Sequence, residues 1–220
     1  MIKQKPTRRD VVKELFFFPA GALLPQGGVF GWPIETSSLH FFAIGDWGAQ
    51  GSDLQQREVA HGMQEYARVH QIHTSALLFL GDNWYGWLWG GVKSQRWKSH
   101  FEQLYPAVAF SGPCYAVLGN HDYELRPHSK ADVQLNYAKT RGTRWSMPAK
   151  WYSVSIPEAE PLVRILALDS NYPLDHRFYD TPTLTEFEVK QELDWLRSEL
   201  SKETRAPFTI VMAHQSSALP

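Results

Sequence analysis

The sequence predicts an α/β fold in which mixed β-sheets are flanked by helices, and three observations lead there. Compact apolar runs such as "LHFFAIGD", "ALLFLGD" and "CYAVLGNHD" have the length of buried strands and stop at glycine followed by a polar residue. Segments with apolar residues at helical spacing fall between them, and that alternation implies βαβ units, a parallel sheet and right-handed crossovers. The chain has 220 residues, 43% of them apolar and 14% aromatic, so it can bury a sizeable core and is too apolar to be disordered.

The first strand lies in residues 39–46 and feeds a helix over 52–70, with Ser52 and Gln55 as its capping box and Val59, Met63, Tyr66 and His70 on one face. Residues 76–82 form the second strand. Trp97, Phe101 and Leu104 then recur at helical spacing before the third strand, "CYAVLGNHD". After a long loop come two more strands, "WYSVSI" and "VRILALDS". A further helix carries Thr185 and Glu188 as a capping box and Val189, Leu193, Leu196 and Leu200 on one face, and "FTIVMAH" is the last strand.

Charge and termini narrow the function classes. A formal net charge of −1 leaves no broad basic field for a nucleic-acid backbone. The single cysteine, Cys114, excludes an internal disulfide framework. "TRRDVVKELFFFPAGALL" combines Arg8 and Arg9 with an apolar stretch that Pro19 and Gly21 interrupt, too short to span a bilayer as a helix. It resembles a twin-arginine export signal, although Val11 and Val12 stand where that pattern carries Phe-Leu. The alternative is a basic cap with a hydrophobic segment packed on the domain. The division expected is a signal and Gly/Pro-rich linker over 1–38 and one domain over 39–220, exported to the periplasm or outside the cell, with no stable membrane insertion.

The polar residues that carry chemistry follow apolar strands: "GDWG", "GDNWY", "GNHDY" and "MAH". Ligands of open α/β sheets bind outside the carboxyl ends of the strands. Asp46, Asp82, Tyr85, Asn120, His121, Asp122 and His214 are therefore candidates to converge on one rim. Each alone has a plainer reading. Asp46 and Asp82 suit turns or helix caps, Tyr85 aromatic packing, Asn120 a turn, and His121 or His214 a structural histidine. The ordered set favours function, and its carboxylates, amide oxygen, phenol and imidazoles suit hard or borderline metals. Two such metals, bridged by a carboxylate, clamp the attacking and leaving oxygens of a displacement at phosphorus.

The four strings resemble those of the calcineurin-like metallophosphoesterases, and within them the small, tartrate-resistant type of purple acid phosphatase. The family pattern of Asp-x-Gly, Gly-Asp-x-x-Tyr, Gly-Asn-His-Asp/Glu and Val-x-x-His stands here as Asp46-Trp47-Gly48, Gly81-Asp82-Asn83-Trp84-Tyr85, Gly119-Asn120-His121-Asp122 and Val211-Met212-Ala213-His214. "RWSMPAKWYSV" and "LALDSN" resemble the family's intervening segments. The resemblance implies a metallophosphoesterase-type sandwich and hydrolysis of phosphate monoesters, with a metal-borne hydroxide attacking phosphorus. It implies a dinuclear centre: Fe(III) on Asp46, Asp82 and Tyr85, and a divalent iron, zinc or manganese on Asp82, Asn120 and His214. His121 would contact the phosphate or leaving oxygen without binding metal. A phosphodiesterase or nucleotidase of the same superfamily is the enzymatic alternative, against which Tyr85 argues.

The family's fifth motif, Gly-His-x-His, does not occur in the 220 residues. The expectation is a fold truncated at its C-terminal strands, each metal keeping three protein ligands, with an inactive fragment as the alternative. Asp169 is expected to position other groups rather than bind metal. His70 and His73 are expected at the surface. The tryptophans of "NWYGWLWGGVKSQRW" either wall the cleft or pack.

Overall fold

The computed structural model describes residues 38–48, 53–124, 130–172 and 183–215; the leader region and Ser52 lie outside them. Four strands, β1 (His40–Ile44), β2 (Thr74–Leu80), β3 (Cys114–Val117) and β4 (Trp145–Ser146), form a parallel sheet in that order. A second sheet has the order β5 (Tyr152–Ile156), β6 (Val163–Ala167), β7 (Phe208–Met212), with β6 antiparallel to β5 and parallel to β7. Among the described residues three α-helices accompany them: α1 (Leu54–Val69), α2 (Lys130–Tyr137) and α3 (Glu186–Ser201). The expected α/β class is what the chain adopts, and β4, only two residues long, is the strand the sequence did not announce.

Strand β2 reads "TSALLFL" without polar alternation because it lies between β1 and β3 and is buried along nearly its whole length. Tyr152 of β5 reaches β3: its hydroxyl donates to the Ala116 carbonyl at 2.8 Å and accepts from the Ala116 amide at 3.0 Å. An aromatic core forms around Trp47, Phe79, Trp84, Trp97, Phe101, Tyr105 and Trp145, all buried. Edge-to-face pairs recur within it, such as Phe79 and Tyr105 at 5.2 Å and Phe101 and Trp145 at 5.1 Å between ring centroids. Trp97 and Phe101 enter it from a π-helical turn, Trp97–Glu102, and Trp97 also stacks on Tyr137 of α2 at 3.6 Å.

Helix α3 starts as expected, with the Thr185 hydroxyl accepting from the Glu188 amide at 3.2 Å and the Glu188 carboxylate accepting from the Thr185 amide at 2.8 Å. Its buried residues, however, are Glu192 and Glu199, whereas Leu193 and Leu200 are exposed. Polar contacts decide the rotation: Glu192 accepts from the Asp169 amide at 2.7 Å, and the Glu199 carbonyl accepts from Arg164 at 2.9 Å. Helix α1 departs from expectation in the same way. Its N-cap is Asp53, whose carboxylate pairs with Arg57 at 2.6 Å instead of capping an amide. Gln56, Ala60 and Ala67 are buried, while Val59 and Tyr66 are exposed. The buried stripe is displaced by one residue, about 100° around the helix axis, because small alanines allow close packing there and Gln56 donates to the His100 carbonyl at 3.2 Å.

Candidate metal centre

Strands β1, β2, β3 and β7 each deliver one chemical string just past the carboxyl end: Asp46, Asp82 with Tyr85, Asn120 with His121, and His214. The loops after β1 and β2 are tied by the Asp46 amide donating to the Gly81 carbonyl at 3.0 Å and the Gly48 amide to the Asp82 carbonyl at 3.2 Å. Asp46 and Asp82 both have left-handed backbones, with φ of 54° and 50°. Non-glycine residues seldom adopt that conformation, and where they do it is held by the surroundings, often at functional sites.

The side chains converge. Ligand atoms of Asp46, Asp82 and His214 all lie within 4.8 Å of one another. The Tyr85 hydroxyl sits within hydrogen-bonding distance of both carboxylates, 3.1 Å from Asp46 and 2.9 Å from Asp82. Nδ1 of His214 lies 2.9 Å from the Leu80 carbonyl, which can only accept, so Nδ1 carries a proton. In the neutral ring that leaves an Nε2 lone pair, 3.2 Å from Asn120 Oδ1 and 3.5 Å from Asp82 Oδ1. Carboxylate, amide oxygen and imidazole thus turn electron pairs toward one another, an arrangement that a shared cation satisfies. Asp82 is buried and Asp46 exposed, so the cluster opens to solvent on the Asp46 side. Burial, then the two carboxylates, push the Tyr85 phenol well above its usual range, so it keeps its proton when only anions face it.

His121 lies at the edge of this group. Its amide donates to Asp82 Oδ1 at 2.9 Å, its ring packs 4.4 Å from that of Tyr85, and its Nε2 is 4.0 Å from Asp82 Oδ2. Asp122 does not join the rim, which corrects the sequence expectation. The 3₁₀ turn Asn120–Tyr123 sends its carboxylate inward, where it accepts from the amides of Gly119 (2.9 Å), Asn83 (3.1 Å) and Trp84 (3.0 Å) and from Gln134 (2.9 Å). Burial pushes its carboxyl up to about 6. Asp169 is also buried, accepting from the Tyr123 hydroxyl and from the Asn171 side chain at 2.7 Å.

Sequence reasoning missed the polar frame behind the rim. Asn83 is fully buried, with its oxygen accepting from the Trp47 indole at 2.7 Å and its amide donating to the Val117 carbonyl at 2.8 Å and to Gln134 at 2.9 Å. It occupies a variable position inside Gly-Asp-x-x-Tyr, and its signal is only that of an amide beside buried aromatics. The tryptophans divide: Trp84 and Trp97 pack in the core, whereas Trp87 and Trp89 are exposed and stacked, 4.8 Å apart and inclined by 15°. His70 and His73 are exposed, as expected.

Strand ends that gather oxygen and nitrogen donors in this way are suited to hold a hard or borderline metal ion. Residues 39–218 match the family model described as calcineurin-like phosphoesterase, and the chain belongs to that family. It is 28% identical over 194 residues to tartrate-resistant acid phosphatase type 5 of Oryctolagus cuniculus, an alignment covering 81% of this chain and 56% of that protein. To the Homo sapiens protein of the same name it is 26% identical over 189 residues, with the same coverage. To purple acid phosphatase 7 of Arabidopsis thaliana it is 32% identical over 112 residues, 50% of this chain and 32% of that one. The chain spans about half the length of the tartrate-resistant relatives it matches. Among the described residues no helix is long and apolar enough to cross a membrane.

Proposed function

We propose that this chain supplies ligands of a dinuclear metal site for hydrolysis of phosphate monoesters. The observation that carries the reading is the convergence of Asp46, Asp82 and His214 within 4.8 Å, with the Tyr85 hydroxyl on both carboxylates. In this reading Asp46, Asp82 and Tyr85 hold a ferric ion, for which hard anionic oxygen donors are suited, and Asp82, Asn120 and His214 hold a divalent iron, zinc or manganese. The metals, when bound, supply Lewis-acid stabilisation of phosphoryl charge and lower the pKa of a water nucleophile.

The remaining work falls to the chain. Asp82 would contribute to both halves of the site, and its Oδ1 accepts from the His121 amide. The open Asp46 side admits the ester, and His121, when its ring carries a proton on both nitrogens, offers Nε2–H toward the leaving oxygen as a hydrogen-bond or proton donor. The named acid phosphatases among the relatives support this substrate class over a diester. Export rests on Arg8 and Arg9, in residues outside those described, and cell fractionation with Arg8→Lys/Arg9→Lys tests it.

The test is to prepare the chain with iron and zinc or manganese, then measure bound metal, the visible tyrosinate absorption and turnover of an aryl phosphate. Stoichiometric iron with a visible band that Tyr85→Phe removes, together with monoester turnover, is the expected result. Protein that retains no iron and hydrolyses no ester would sink the reading for this chain.

A further inference from the structure

Behind His121 stands a charged pair that no ligand motif contains. Glu124 Oε1 is 2.5 Å from His121 Nδ1, and the other carboxylate oxygen is 3.3 Å from the Lys130 ammonium. Lys130 is 1% exposed and also donates to the Gly86 carbonyl at 3.0 Å. A buried ammonium leaves water only for specific partners, and these tie the loop after Tyr85 to the turn that carries His121. The Tyr85 ring covers one face of the imidazole, and the His121 amide is bound to Asp82.

We infer that Glu124, anchored by Lys130, is a positioning residue that fixes the tautomer and ring angle of His121. The carboxylate accepts from Nδ1–H and thereby leaves Nε2 directed at the rim, on the side of Asp82 Oδ2. Which imidazole nitrogen carries the proton is set by the partner of the other nitrogen. The catalytic value of the arrangement rests on the phosphoesterase reading above; the tautomer itself does not.

Nitrogen-15 NMR of the imidazole rings in the metal-free full chain, near about pH 8, where an ordinary imidazole is neutral, provides the test. The His121 signals are assigned by their loss in His121→Asn. Wild type is expected to carry its proton on Nδ1, and Glu124→Ala to move it largely to Nε2. Glu124→Gln, whose amide oxygen still accepts, keeps the Nδ1–H form, and Lys130→Met gives a smaller change than Glu124→Ala. An Nε2–H ring in wild type, or the same Nδ1–H ring in Glu124→Ala, overturns the assignment. In metal-loaded protein Glu124→Ala is expected to lower kcat by about 10- to 100-fold with KM nearly unchanged, as loss of an orienting partner does. A fall confined to KM counts against the assignment. Wild-type protein without turnover would defeat the phosphatase reading, and the metal-free spectra would still decide the tautomer.

Discussion

Gly81 presents bare backbone to the imidazole of His214: a β-carbon at that glycine would lie 2.7 Å from Cβ, Cγ and Nδ1 of the histidine. Gly81 also has φ of 88°, so any side chain there meets both backbone strain and overlap. Gly81→Ala is expected to cost about 2–4 kcal/mol in urea unfolding, combining left-handed strain with overpacking. It should also lose metal retention, because His214 must move away from Leu80 and Asn120. A variant as stable as wild type that still holds metal would mean the imidazole has room to spare.

Gly119 stands in the same relation to Asp82, where an added β-carbon would overlap the backbone nitrogen and the carboxylate. Gly119→Ala should therefore displace the Asp82 carboxylate and abolish metal binding, read by metal analysis after gel filtration.

The frame behind the rim makes a separate prediction. Asn83→Ala strands the Trp47 indole N–H and the Gln134 carbonyl oxygen in the core and is expected to destabilise the fold by about 2–4 kcal/mol. Chemical denaturation checks this, and a loss below about 0.5 kcal/mol would show that those groups find other partners.

Metal binding should appear in stability. A cation held by the folded state at a hundredfold excess over its dissociation constant adds about 2.7 kcal/mol. Melting temperature is expected to rise with added metal in wild type and to be nearly flat in Asp82→Ala and His214→Ala. Equal metal-induced shifts in all three would place the cation elsewhere.

Stability should also depend on pH through Glu192. Burial pushes this carboxyl up to about 7 from an ordinary value of 4.5, so between those values the folded chain holds more protons than the unfolded one. Stability therefore falls as pH rises from about 4.5 to 7 and is flat above that. Glu192→Gln keeps an oxygen for the Asp169 amide, and should flatten this slope and gain on the order of 1–3 kcal/mol at pH 8. A residual slope of the same sign belongs to Asp122 and Asp169, whose carboxyls burial also raises. An unchanged slope in urea titrations across pH would reject the assignment to Glu192.

The four strings after β1, β2, β3 and β7 were legible because they are local. An apolar run that ends in Gly-Asp or Gly-Asn-His fixes a strand, a tight turn and the residue types delivered there, whatever surrounds them. The order of Asp46, Asp82, Tyr85, Asn120 and His214 along the chain was enough to indicate one rim and a metallophosphoesterase. The Thr185–Glu188 cap was legible for the same reason, since both partners lie within one helical turn.

What tertiary structure decided involves polar groups whose partners are distant in sequence. Asp122 turns inward because the amides that satisfy it include Asn83 and Trp84, 39 and 38 residues away. Glu192 displaces the leucines of α3 from the buried face because the Asp169 amide needs an acceptor. Asn83 meets Gln134 across 51 residues, and Lys130 meets Gly86 across 44. By itself the sequence determined which residues stand at the strand ends. Only the folded chain decided which of them converge on the rim and which hold the others in place, because a buried polar group goes where its hydrogen bonds can be made.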